Sequence, residues 1–192
     1  RIRGRIVLEN CKGDPTEQLT KIAQVYVNIL TNPFSKEFQM FKEWVQTDCG
    51  ENLYWDYADE HLTITGTGDM YDYVFLFDMA PWASLPVSEI SLPEGMTYIG
   101  AFGLCAAGIT SINIPSTVTK IGDAAFWLCV NLQSITISQK VTSIGLAPFV
   151  ACYNLQSIVV EEGNKKYDSR DNCNAIIHTA SNALVAGCPS TI

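Results

Sequence analysis

The residues of this 192-residue chain whose types could do chemistry are seven cysteines, two histidines and a cluster of aromatic and acidic side chains. Cys105, Cys129 and Cys152 each follow a phenylalanine, Phe102, Phe126 or Phe149, by three residues. A repeated thiol suggests a thiolate ladder for a soft metal. Nothing cationic lies close in sequence to lower a thiol pKa, so the expected role is that of small buried hydrophobes. The cysteine count is odd and no pair has C-x-x-C spacing, so neither a zinc site nor a disulfide framework is indicated. Cys173 and Cys188 flank a predicted hairpin from Ala175 to Gly187 and are expected as free thiols, with a disulfide across the hairpin as the alternative.

Cys173, Asn174 and His178 suggest a cysteine hydrolase by type. Their spacing argues against it, since Asn174 and His178 would lie roughly 13 Å apart on an extended strand and no oxyanion-hole glycine motif follows the cysteine. The other histidine, His61, sits in an acidic region. There is no G-x-S-x-G, no phosphate-cradling glycine loop and no H-E-x-x-H. The chain reads as a non-enzyme with no cofactor and no bound metal.

Tyr54, Trp55, Tyr57, Tyr71, Tyr73 and Trp82 gather with Asp56, Asp59, Glu60, Asp69 and Asp72. On paper this is a sugar platform, with Trp55, Tyr57, Asp56 and Asp59 as its candidate residues, or a calcium site. The acid spacing is not that of an EF-hand loop. Alternation in Leu53-Tyr-Trp55 and Leu62-Thr-Ile64 predicts instead a hairpin whose aromatics cover the end of whatever follows.

Twelve basic against twenty acidic residues give a net charge of -8, and the excess acid lies wholly in residues 49–108. The average field repels nucleic acids and anionic membranes. No apolar run approaches the roughly 20 residues of a membrane helix. Arg1 to Asn10 lacks the apolar stretch of a secretory signal, so the expectation is that the protein either stays inside or has already lost its signal.

The elements that must position these residues come from a repeat. Leu132-Gln-Ser-Ile135-Thr-Ile137 recurs as Leu155-Gln-Ser-Ile158-Val-Val160, Ile109-Thr-Ser-Ile112-Asn-Ile114 and Val87-Ser-Glu-Ile90-Ser-Leu92, in steps of 22, 23 and 23. A second ladder runs Met96-Thr-Tyr-Ile99-Gly100, Val118-Thr-Lys-Ile121-Gly122 and Val141-Thr-Ser-Ile144-Gly145. Residues 112–132 read I-x-I-P-x-x-V-T-x-I-G-x-x-A-F-x-x-C-x-x-L, which resembles the BspA-like (Treponema-type) leucine-rich repeat. Ser138 stands where the pattern has Pro93 and Pro115, Pro148 precedes Phe149, and the first repeat is two residues short before Phe102. Residues 49–70 are similar to the N-terminal cap of such proteins and 163–188 to their hairpin-bearing repeat, so the resemblance spans about three quarters of the chain.

Ahead of the cap, Asp14-Pro15-Thr16-Glu17 is a helix start. Leu19, Ile22, Ala23, Tyr26 and Leu30 follow at helical spacing, and Ser35 caps a second helix carrying Phe38, Phe41 and Val45. The expected fold class is therefore α/β. It is a right-handed leucine-rich-repeat solenoid of about four coils with a β-rich N-terminal cap and an N-terminal helical pair. The segments are 1–48 with the two helices, 49–86 as the cap and 87–192 as the solenoid ending in a hairpin-bearing repeat.

In L-x-x-L-x-L the last two apolar residues face inward together, so Ile112, Ile135 and Ile158 stack as core. The glycine after the isoleucine marks a corner, either taking positive φ or allowing close backbone approach, and A-F-x-x-C supplies a short helical turn beyond it. The outward positions form two columns, Glu89, Ser111, Ser134, Ser157 and Ser91, Asn113, Thr136, Val159. This nearly uncharged face is the candidate ligand-binding surface, and short polar residues that merely permit stacking are the bland alternative.

The resemblance implies a secreted or cell-surface bacterial protein that binds a protein on a host or neighbouring cell, that is, an adhesion module. A glycan held by the cap aromatics is the alternative. A second copy meeting the N-terminal helices or the open C-terminal edge is a further expected partner, and nucleic acid is not. Because one coil cannot close a core alone, a chain cut to a single repeat should lose its cooperative unfolding transition, as followed by circular dichroism.

Overall fold

In the computed structural model, residues 47–75 and 78–191 are described, and the expected helical pair lies outside them. The alternating pattern from Leu53 forms β1 (Leu53–Ala58) and β2 (His61–Asp69), an antiparallel hairpin with Trp55 opposite Ile64. Its two-residue turn is Asp59 and Glu60, with φ of 51° and 61°, the left-handed pair a tight hairpin needs. Leu53, Trp55, Tyr57, Leu62 and Ile64 point inward and are buried.

From β2 the chain coils. β3 (Glu89–Ser91) pairs in parallel with the start of β2, and β4 (Gly95–Ile99) pairs with its end. β5 (Lys120–Ile121) and β7 (Ser143–Ile144) extend that second ladder, so the V-T-x-I segments form the longest sheet, ordered β1-β2-β4-β5-β7 with β3 also on β2. β6 (Ser134–Ile137) and β8 (Ser157–Val160) pair in parallel with Ile135 opposite Ile158. Residues 111–115 are not strand, so the face expected to be one sheet is two separate pieces.

β9 (Tyr167–Asp168), β10 (Ala175–His178) and β11 (Ala183–Gly187) form a last antiparallel sheet, with β10 central and a bulge after Ile176. Side chains fasten it to the coils. The Asn164 Nδ2 donates to the Ser138 and Val141 carbonyls at 2.9 Å each, the Ile144 amide donates to the Tyr167 hydroxyl, and the Val160 amide donates to Ser169 Oγ.

The expected α/β class is corrected to one of strands and turns. Among the described residues there is no α-helix, and one 3₁₀ segment, Arg170–Asn172, is the only helical element. The segments expected as short helical turns are paired β-turns. Positive φ at Phe102 and Ala106, at Ala124 and Leu128, and at Ala147 and Ala151 breaks any helix there. Alternate amides are spent on the next coil. Those of Phe102, Leu104 and Ala106 donate to the carbonyls of Asp123, Ala125 and Trp127, and those of Ala124, Phe126 and Leu128 donate to Leu146, Pro148 and Val150, at 2.7 to 3.0 Å. An amide committed to a neighbouring coil is lost to the i→i−4 bond that a helix requires.

This ladder also corrects the phenylalanine–cysteine column. Phe102 occupies the rung of Ala124 and Ala147, which leaves Leu104 in the core slot of Phe126 and Phe149, and Ala107 in that of Cys129 and Cys152. The first repeat, two residues short before Phe102, brings its phenylalanine to the rung too early. Leu104 and Phe126 are fully buried and the Phe126 and Phe149 rings stack at 5.5 Å, whereas Phe102 lies against Phe75 and Trp127.

Of the inward isoleucines, Ile135, Ile137 and Ile158 are buried, and Ile90 and Ile112 are half-buried. The corner glycines Gly100, Gly122 and Gly145 have no positive φ. Close approach is what requires them: a Cβ at Gly122 would stand 2.5 Å from the Ala101 amide nitrogen. Phe126→Ala empties the centre of the ring column and is expected to cost about 3–5 kcal/mol in a denaturant titration. Phe102→Ala, off the column, is expected to cost clearly less.

Candidate functional site

On the first strand face, the parallel register sets Ser134 beside Ser157 and Thr136 beside Val159. Ser134 and Thr136 are exposed, Ser157 is half-buried and Val159 is 45% exposed, so this piece is a flat surface of short hydroxyls around one apolar residue. Ser111 and Asn113 are exposed on the irregular coil between the two pieces. Glu89 and Ser91 lie on the other piece, where β3 meets β2. There the His61 Nε2 is 2.8 Å from Ser91 Oγ and its Nδ1 is 3.8 Å from Glu89 Oε2. The eight predicted residues therefore divide into two patches and a connecting coil.

Ser91, His61 and Glu89 stand in the order of a hydrolase relay. They lie on an open face, with the His61 side chain 38% and that of Glu89 75% exposed. The outer distance is beyond hydrogen-bond reach. In water this arrangement is a polar contact surface.

The cap residues considered for sugar do not converge. Trp55 is 9% and Tyr57 2% exposed, and the Tyr57 hydroxyl donates to the Pro86 carbonyl. Trp55 packs edge-on against Trp82, which in turn meets Tyr73. Alternation turns Asp56 to the opposite side of β1, and Asp59 is a turn residue. The ring faces that would stack on a sugar are inside the protein.

A polar groove of about 380 Å³, not foreseen from the sequence, lies along the second ladder. Its walls include Asp69, Asp72, Tyr98, Lys120, Asp123 and Ser143. The Thr97 hydroxyl donates to Asp69 at 2.5 Å, the Tyr98 hydroxyl and Ala101 amide donate to Asp72 at 2.6 and 2.8 Å, and the Leu146 amide donates to Asp123 at 2.7 Å. Burial, then the hydrogen bond to Asp72, push the Tyr98 hydroxyl above its ordinary range, so it stays protonated as a donor. Among the described residues, no three His, Cys, Asp or Glu side chains are grouped as metal ligands. The signal was in the x of V-T-x-I, where Tyr98, Lys120 and Ser143 recur at steps of 22 and 23.

All six described cysteines are free thiols, Cys173 and Cys188 included. Cys129 Sγ donates to the Leu104 carbonyl and Cys152 Sγ to that of Phe126, both at 3.1 Å, so each thiol ties its turn to the preceding coil. The Cys152 sulfur beside it, together with burial, pushes the Cys129 thiol up. Buried and held above its ordinary range, the Cys129 thiol is a poor nucleophile and a poor metal ligand.

The model for the BspA type leucine rich repeat region matches residues 82–178 in six copies. The chain belongs to this family. No curated protein matches it. Three solved structures are similar to this BspA-type chain. A leucine-rich repeat protein from Eubacterium ventriosum ATCC 27560 is 21% identical, with TM-score 0.44, over 75% of this chain and 50% of its own. A leucine rich cell surface protein from Faecalibacterium prausnitzii A2-165 is 17% identical, with TM-score 0.42, over 73% and 61%. The pneumococcal vaccine antigen PcpA is 11% identical, with TM-score 0.40, over 76% and 56%. The BspA-type chain thus spans half to about three fifths of those proteins.

Burial above all, with the charge of Asp48 adding, pushes the Cys49 thiol up to about 12. Its folded value lies above the ordinary 9.0, so the stability linked to it is whole below pH 9.0 and is lost as pH rises from there towards 12. At neutral pH a maleimide is expected to modify Cys173 and Cys188 in the folded protein and to spare Cys49, Cys105, Cys129 and Cys152, as read by peptide mass spectrometry. Rapid labelling of Cys129 would contradict its packing role.

Proposed function

We propose that this chain is a non-catalytic protein-interaction module of the bacterial surface, secreted or cell-attached, that binds a protein on a host or neighbouring cell through its strand face. The observation that carries this reading is the β6–β8 patch. Ser134, Thr136, Ser157 and Val159 are held in register by the parallel pairing, and none of them is needed to fill the core. A backbone-fixed surface of small hydroxyls costs little side-chain entropy to bind, and its one exposed valine offers apolar area. Membership of the BspA-type family supports an interaction role and a place outside the cell.

Among the described residues no helix is long and apolar enough to cross a membrane. The carbohydrate reading centred on Trp55, Tyr57, Asp56 and Asp59 draws no support from their placement, since the two rings are core. A panel of purified extracellular-matrix proteins on a biosensor surface tests the protein-binding reading. Ser134→Glu with Thr136→Lys should abolish capture of any ligand so found and shift the melting temperature by less than about 2 °C, as both side chains point to solvent. Unchanged capture would remove the strand face from consideration.

A further inference from the structure

The outward face of β4, β5 and β7 carries the polar groove of about 380 Å³. All its walls fall inside the stack, between β1 and the β8 coil. Asp69, Asp72, Lys120, Asp123 and Ser143 are exposed there, and Tyr98 is half-buried. Three carboxylates face it against one ammonium.

Each carboxylate is fixed through one oxygen and open at the other. Oδ1 of Asp69 accepts from the Thr97 hydroxyl, Oδ1 of Asp72 from the Tyr98 hydroxyl and the Ala101 amide, and Oδ1 of Asp123 from the Leu146 amide. Among the described residues no donor meets Oδ2 of any of the three, and Lys120 has no ion pair. The backbone sets the spacing. The Tyr73 amide donates to the Ala101 carbonyl and the Phe102 amide to that of Asp123, so Asp72, Ala101 and Asp123 hold one position on three successive rungs. Asp72 and Asp123 therefore stand two rungs, roughly 10 Å, apart along the stack. The short side chain of Ala101 leaves the space between them open. Burial first, then Asp72, and last the charge of Asp123 hold the Tyr98 hydroxyl above its ordinary range, so both carboxylates act on one point.

A ligand here has to satisfy two negative acceptors held apart. An anion is repelled by the excess of carboxylate. Among the described residues no three His, Cys, Asp or Glu side chains converge as a metal ion requires. Two copies of this chain, each at -8, repel on approach. A guanidinium is planar, always charged and carries donors on opposite edges, whereas an ammonium is a point charge that serves one acceptor at a time. We propose that this groove is a second interaction site, independent of the β6–β8 patch, that captures an arginine side chain from an exposed basic segment of a partner protein. Set over Ala101, the guanidinium donates to Oδ2 of Asp72 from one edge and to Oδ2 of Asp123 from the other, with its flat face towards the Tyr98 ring. Residues 49–108 hold nine acidic and no basic side chains, a field that draws such a segment from solution.

The peptide acetyl-Ala-Arg-Ala-amide, titrated into the ¹⁵N-labelled full chain, is expected to shift the amide resonances of Ala101 and Leu146 together and saturably, because each of those amides is bonded to one of the two carboxylates. The same peptide with citrulline, uncharged and of similar shape, or with lysine should bind about tenfold more weakly. Asp123→Asn keeps an Oδ1 for the Leu146 amide, so it should leave the melting transition unchanged while weakening binding about tenfold. Lys120→Met removes the one competing cation and should strengthen binding about threefold. The proposal is overturned by no saturable shift at millimolar peptide, by equal binding of the arginine and lysine peptides, or by binding that ignores Asp123→Asn or Lys120→Met. Shifts at Ser134 and Thr136 in place of Ala101 would assign the arginine to the β6–β8 patch and overturn it too.

Discussion

Each coil of this protein depends on the backbone hydrogen bonds that it makes to the coils before and after it. No single coil pairs its own amides and carbonyls around its circuit. The Gln133 amide reaches back to Thr110, the Thr142 amide to Thr119, and the Phe126 amide reaches forward to Pro148. A buried backbone group without a partner costs as much as a lost hydrogen bond, so the coils are bound to a common register. The side-chain columns are a consequence, since equivalent positions of neighbouring coils are brought one strand spacing apart.

That register decides which residues enter the core, overriding the local motif. In the first coil the phenylalanine arrives two residues early, and the ladder assigns the slot to Leu104. Phe102 is turned instead towards Phe75 and Trp127. Where the repeat gives way to the hairpin, side chains replace backbone rungs. Asn164, Tyr167 and Ser169 each satisfy a main-chain group of the preceding coil. The cysteines serve the same economy, donating weak hydrogen bonds to carbonyls while filling small spaces.

The positions that the ladder does not use stay outside the core. The outward serines and threonines of β6 and β8 and the Tyr98, Lys120 and Ser143 column are two such surfaces, both fixed by backbone pairing and each of different chemistry. A solenoid can vary them one at a time, because a change on an outward position leaves the inward columns intact.

The period, the inward isoleucines, the cap hairpin and the family were all legible in the residues, because stacking imposes a spacing of 22 or 23 that composition alone does not produce. Three-dimensional pairing decided the rest. The V-T-x-I segments became the main sheet, and the A-F-x-x-C segments became turns, because their amides face the next coil. The inward turn of Trp55 and Tyr57 on β1 was already legible in the alternation of Leu53-Tyr-Trp55. Spacing along a chain states which residues recur. Which way an amide or a ring faces depends on the neighbour that receives it.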